Sequence, residues 1–173
     1  MTSPEYRLEY FNLRGRAEPI RWVLAVAEQP YQDVRFDKET EWPKKKSDTP
    51  YGKVPVLYVD GRPLSQSVAI CRYLGAVHGL SSKDPWLAAV GDEVADSVHD
   101  LLPVAAQIVY ANTFFCGDEL TWVDVFVACY LSQLSSQHKD CLDAAPKVRD
   151  LISTVTSKPA LKKWLEVRPV TPM

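Results

Sequence analysis

The stretch Leu8–Glu28, LEYFNLRGRAEPIRWVLAVAE, holds the transition on which the fold turns. Tyr6, Leu8 and Tyr10 alternate with Arg7 and Glu9, the period of two that marks a strand. Ile20, Val23, Leu24 and Ala27 then recur at helical spacing and form one apolar face. A second short strand follows in YQDVRF, Tyr31–Phe36. The chain up to Phe36 therefore reads β-α-β, and the helical crossover makes the two strands parallel. Between strand and helix, Arg14-Gly15-Arg16 sets two guanidinium groups beside the phenol of Tyr10. A phenol O–H donated to sulfur favours thiolate over thiol, and a nearby positive charge adds to the effect. The arrangement points to a thiolate held at the end of the strand. The same residues also read as a rim tyrosine and a solvated turn with an ion pair to Glu18.

Working outward, a polar loop carries Trp42 and the basic cluster Lys44-Lys45-Lys46, which reads as a solvated face. VPVLYVDGRPLSQS then predicts two short strands around the turn Asp60-Gly61, a hairpin. Pro55 suits the start of an edge strand and a cis bond, leaving the backbone of Val54 open to pair with an extended peptide. Ser65-Gln66-Ser67 stands at a helix N-terminus, where free N–H groups and the helix dipole favour a carboxylate. Ser67 is the expected N-cap, and Ile70, Tyr73, Leu74 and Val77 form the helix face.

Everything after Asp84-Pro85 reads helical. Asp84 caps a helix whose face is Val90, Val94, Val98 and Leu101. LTWVDVFVACYLSQL is a strongly apolar helix opened by a Thr121–Asp124 capping box, and KPALKKWLEVRP, with Pro159 at its start, is a short terminal helix. The expected organisation is an α/β domain over residues 1–80 and an all-helical domain over 85–173, with the boundary in GLSSKDP.

Composition excludes several functions. A net charge of −2 over 173 residues gives no electrostatic case for nucleic acid. No apolar run approaches the length of a membrane helix, and the charged N-terminus MTSPEYRLEY has no apolar signal region. Cys71, Cys116, Cys129 and Cys141 show neither CxxC nor metal-ligand spacing, and read as reduced, half-buried thiols of a cytoplasmic protein that needs no metal.

YFNLRGRAEPIRW, WPKKK, YGKVPVL, LSQSVAICRYL and CGDELTWVDV together resemble the glutathione transferases of the sigma class, along nearly the whole chain. The resemblance implies a thioredoxin-like N-terminal domain, an all-α C-terminal domain and a homodimer. It makes Tyr10 the residue that activates the glutathione thiol, with electrostatic help from Arg16. Trp42 and Lys46, with Lys53 nearby, would hold the glycine end. Val54, before a cis Pro55, would pair with the cysteinyl backbone, and Gln66 and Ser67 would take the γ-glutamyl end. Asp100 would reach glutathione across the dimer. Glutathione is the implied co-substrate and a small hydrophobic electrophile its partner.

Two departures from the family pattern matter. Between about Gln107 and Phe114 the chain lacks a segment worth one helix and its connections, which in relatives walls the electrophile pocket. The positions matching a prostaglandin pocket also differ. No tryptophan follows Pro103, and Phe126 and Tyr130 stand where the synthase has a tyrosine and a cysteine. The implied activity is general conjugation of glutathione to electrophiles, or peroxide reduction. The alternatives are a non-catalytic, crystallin-like module and a prostaglandin D synthase. The intact set Tyr10, Arg16, Trp42, Gln66 and Ser67 favours the enzyme.

Overall fold

The computed structural model describes residues 4–98, 113–138, 142–143 and 145–171. Strand β1 (Tyr6–Phe11) leads through a 3₁₀ turn into α1 (Glu18–Val26) and then β2 (Gln32–Phe36). β3 (Val56–Val59) and β4 (Arg62–Ser65) form the hairpin, and α3 (Ser67–Val77) closes this half; α2 (Trp42–Lys45) lies in the connection between β2 and β3. The sheet order is β2-β1-β3-β4, with β1 parallel to β2 and the other pairs antiparallel. This is the thioredoxin-like mixed sheet. Asp60 and Gly61 both have positive φ, as the tight hairpin turn demands.

Tyr6, Leu8 and Tyr10 join Ile20, Leu24, Ile70 and Leu74 in the core. Strict alternation fails at Glu9, which is also buried. β1 is a central strand, and Glu9 is tolerated there because Arg7 pairs with it and in turn covers the ring of Tyr58 at 4.0 Å. The segment expected as a plain loop carries α2 and two 3₁₀ turns. Val77, expected on the buried face of α3, is exposed. The N-cap of α3 is Gln66, not Ser67.

The helical half contains α4 (Pro85–Ser97), α5 (Trp122–Gln137), α6 (Pro146–Thr156) and α7 (Pro159–Val167). Gly91 and Ala95 form the buried line of α4, while Val90 and Val94 stand at its margin. Asp84 caps α4 by accepting from the N–H groups of Trp86 and Leu87. α5 is the centre of the molecule. Val123, Val125, Phe126, Val127, Ala128 and Cys129 are all fully buried, because α1, α3, α4 and α6 all pack against this helix. A Cβ on Gly75 of α3 would come within 2.3 Å of Trp122, so only glycine permits this approach of α3 to α5. The capping box is formed: the carboxylate of Asp124 accepts from the Thr121 N–H at 2.8 Å and hydroxyl at 2.6 Å, and from the Phe115 N–H at 2.9 Å. Burial pushes the Asp124 carboxyl up against the pull of these donors.

Candidate functional site

The site begins with Gly15. Its φ is +40°, and a Cβ there would stand 2.6 Å from Leu13 Cδ1 and 2.7 Å from the Tyr10 hydroxyl. Glycine therefore lets the turn close over the phenol. Arg16, one residue on, donates its backbone N–H to the Tyr10 oxygen at 3.2 Å. With a lone pair occupied, the phenol keeps its own proton free to be donated elsewhere. The Arg-Gly-Arg turn is a clasp on Tyr10. It is not a turn paired to Glu18, whose partners are Arg21 and Arg168.

Arg16 of the clasp lines one small cavity together with Lys53, Val54, Pro55, Gln66 and Ser67. Tyr51, assigned no role from the sequence, and Ser65 of the Ser65-Gln66-Ser67 run line it too. The Ser65 hydroxyl is buried with no protein partner, which suits a polar ligand in this cavity. Val54–Pro55 is cis. β3, however, is an internal strand, not the expected edge. Both of its ladders begin at Val56, two residues past Val54, so pairing at Val54 extends the strand rather than adding to an edge. Gln66 has φ +74° and stands at the start of α3, with Ser67 as the first helical residue.

Trp42 and Lys46 stand on the neighbouring flank. The Trp42 ring stacks on Phe36 at 5.9 Å and meets Phe11 edge-on at 5.5 Å, while Phe11 lies 5.3 Å from the Tyr10 ring. Lys46 runs over Gly52, next to Lys53. Asp100, Pro103 and Cys141 lie outside the described residues. Of the two helical positions matched to the prostaglandin pocket, Phe126 belongs to the core. Tyr130 lies near enough to Arg16 to feel its charge, and burial is the main reason that its hydroxyl is pushed up to about 12.

The cysteines among the described residues are poor nucleophiles. Cys71, Cys116 and Cys129 are buried rather than half-buried. Burial pushes all three thiols up, and the bonds that Thr121 and Gly91 offer Cys116 do not reverse this. None of these three thiols is suited to supply a thiolate at Tyr10. Among the described residues no helix is long and apolar enough to cross a membrane, and no group of three His, Cys, Asp or Glu side chains is placed to hold a metal.

The glutathione S-transferase N-terminal domain family matches residues 6–76, and the glutathione S-transferase C-terminal domain family matches residues 91–168. Probable glutathione S-transferase 7 of Caenorhabditis elegans is 34% identical over 203 aligned positions, covering 96% of this chain and 98% of the relative. Those 203 positions exceed the chain's 173 residues, so at least 30 of them have no counterpart here. Hematopoietic prostaglandin D synthase of Gallus gallus is 34% identical, covering 97% of this chain and 98% of the relative. The crystal structure of a monomeric glutathione S-transferase of the hookworm Necator americanus superposes with a TM-score of 0.84 at 31% identity, covering 98% of this chain and all of that one. These relatives are consistent with the sigma class. A built polar cavity beside a clasped phenol, two matching domains and relatives along nearly the full chain lead to one conclusion: the chain belongs to the glutathione S-transferase family, as a transferase whose co-substrate is glutathione.

Proposed function

We propose that Tyr10 activates the glutathione thiol and that Arg16 assists it. The observation that carries this reading is the clasp, in which the Arg16 N–H occupies the phenol oxygen and leaves the phenol proton for the sulfur. Lys53 and Lys46, with Trp42, receive the glycine carboxylate of glutathione. Val54, held by cis Pro55, pairs with the cysteinyl backbone. Gln66 and Ser67 receive the γ-glutamyl carboxylate, which the N-terminus of α3 favours. The thiolate then attacks a carbon of a small hydrophobic electrophile on the side of α5, near Tyr130, forming a thioether as the leaving group departs with the bonding electron pair. Titration calorimetry with glutathione tests the binding half of this reading. A micromolar to low-millimolar site is the expected result, and no heat up to ~10 mM refutes it.

Two further parts belong to the same reading. The protein acts as a cytoplasmic homodimer in which Asp100 completes the partner's site. The ring of Tyr51, 80% exposed beside the cavity, supplies an apolar contact for such a partner. Light scattering decides it, and a monomer with full activity removes Asp100 from the site. The domain boundary falls in residues 79–85, and the positions missing relative to the relatives fall between Gln107 and Phe114. That shortfall opens the electrophile side, so conjugation of compact electrophiles outpaces that of bulky apolar ones.

A further inference from the structure

Beneath the clasp lies a buried charge network that the reaction does not touch. Glu18, the first residue of α1, has a side chain only 2% exposed, and Arg21 beside it is fully buried. Arg21 Nη1 donates both to Glu18 Oε2 and to the Leu13 carbonyl, each at 3.1 Å, and Arg21 Nε donates to Asp33 Oδ1 at 3.2 Å. Asp33 also takes Arg35, which reaches Asn12 Oδ1 at 3.4 Å. The other oxygen of Glu18 accepts from Trp22 Nε1 at 3.2 Å and from Arg168 Nη1 at 2.6 Å. Arg168 lies 150 residues away, just beyond α7.

The loop over residues 12–17 is thus anchored at Asn12 by Arg35, at the Leu13 carbonyl by Arg21, and at the Arg14 carbonyl by the Glu18 N–H. Leu13 is also the side chain against which Gly15 closes over Tyr10. Shifting Glu18 shifts Arg21, then Leu13, then the turn whose Arg16 N–H engages the phenol. We propose that Arg168 is a positioning residue for thiol activation. Through Glu18 it sets the turn that clasps Tyr10, and so makes the C-terminal segment part of the support of the site. The inference rests on Tyr10 being the thiol activator.

Two features separate this role from general stabilisation. First, the carboxylate of Glu18 has both oxygens committed, so loss of Arg168 leaves one oxygen to the indole N–H alone and rebalances the pull on Arg21. Second, burial alone would push the Glu18 carboxyl up, and it is the bonds and charges of Arg168 and Arg21 that hold it below its ordinary range. Cys129 of α5 and Tyr31 of the α1–β2 connection are the other titratable groups that feel Glu18, and both are neutral at the pH of the test.

The test measures the ultraviolet thiolate band of bound glutathione against pH, with the pH profile of kcat for a compact electrophile. Arg168→Ala should raise the pKa of the bound thiol by roughly half to one unit and cut kcat about three- to tenfold near pH 6.5. The rates should converge with wild type at alkaline pH, and KM for glutathione should stay within about twofold. Arg168→Lys should recover part of the shift, since an ammonium restores one charged donor. If Arg168→Ala does not fold, Arg168→Gln and Arg168→Lys carry the same comparison. Coincident thiolate titrations with only a lowered Tm overturn the inference. Tyr10→Phe in the same series separates the two readings. If it leaves the thiol pKa where it was, the activator role itself is wrong; if it raises the pKa while every Arg168 variant titrates like wild type, only the positioning role falls.

Discussion

The two sides of the site differ in what holds them together. On the α/β side, recognition is by points: a backbone N–H on a phenol at 3.2 Å, a cis proline, and cations and hydroxyls around one small cavity. On the helical side, the first eight residues of α5, Trp122 to Cys129, are buried and Phe126 is sealed in the core. A charged tripeptide needs groups at fixed positions, each charge-assisted bond contributing about 1.5–3 kcal/mol. An apolar electrophile needs volume and little else. A chain can therefore fall at least 30 positions short of its relative and keep the proposed glutathione residues that the structure describes.

The sharpest way to break this contrast is through a buried polar group that holds the start of α5. Asp124 is fully buried and accepts three bonds. Asp124→Ala strands the N–H groups of Thr121 and Phe115 and removes the cap, which should cost ~3–5 kcal/mol in denaturant unfolding. A loss under about 1 kcal/mol means that the helical half does not hang on this point.

Next in size is the polar side's own centre. Tyr10→Phe should lower kcat by about 10²-fold, near 2.7 kcal/mol in the barrier, and leave glutathione affinity and Tm nearly unchanged. Stopped-flow and calorimetric data showing affinity lost in proportion would assign Tyr10 to binding instead.

Gly15→Ala tests whether the clasp is steric. The added methyl meets Leu13 and the Tyr10 hydroxyl at φ +40°, so ~1–2 kcal/mol of stability should go together with a several-fold fall in turnover. Unchanged turnover would show that the turn can relax away from the phenol without consequence.

The smallest effect concerns acid. The folded pKa of Glu18 lies below its ordinary value of about 4.3, so its ion pairs contribute fully above that pH. The contribution is lost as pH falls through the lower folded value. Urea midpoints taken from pH 5 down to pH 2.5 should decline less steeply in Glu18→Gln than in wild type. Parallel declines would place the acid sensitivity elsewhere.

Local chemistry made much of this molecule legible. The strand at Tyr6–Phe11, the helix at Glu18–Val26, the Asp60-Gly61 turn and the Thr121–Asp124 box each rest on chemistry acting over a few residues, and each forms where the sequence places it. The exceptions are informative. Glu9 breaks the alternation because β1 acquires a strand on each side and a guanidinium partner from its own face. The expected edge at Pro55 is internal because the order β2-β1-β3-β4 is a property of the whole sheet, which no window of the chain contains.

The residue types that meet glutathione in the family were likewise present in the sequence as motifs. Their mutual placement was not. That Gly15 presses on the Tyr10 hydroxyl, that Tyr130 of α5 feels Arg16, and that Arg168 closes on Glu18 depend on how α1 docks against α5 and α7. Hydrophobic periodicity and turn chemistry fix short segments because they are short-range. Which buried charges find each other across 150 residues is decided only when packed helices exclude water and leave a carboxylate to its protein donors.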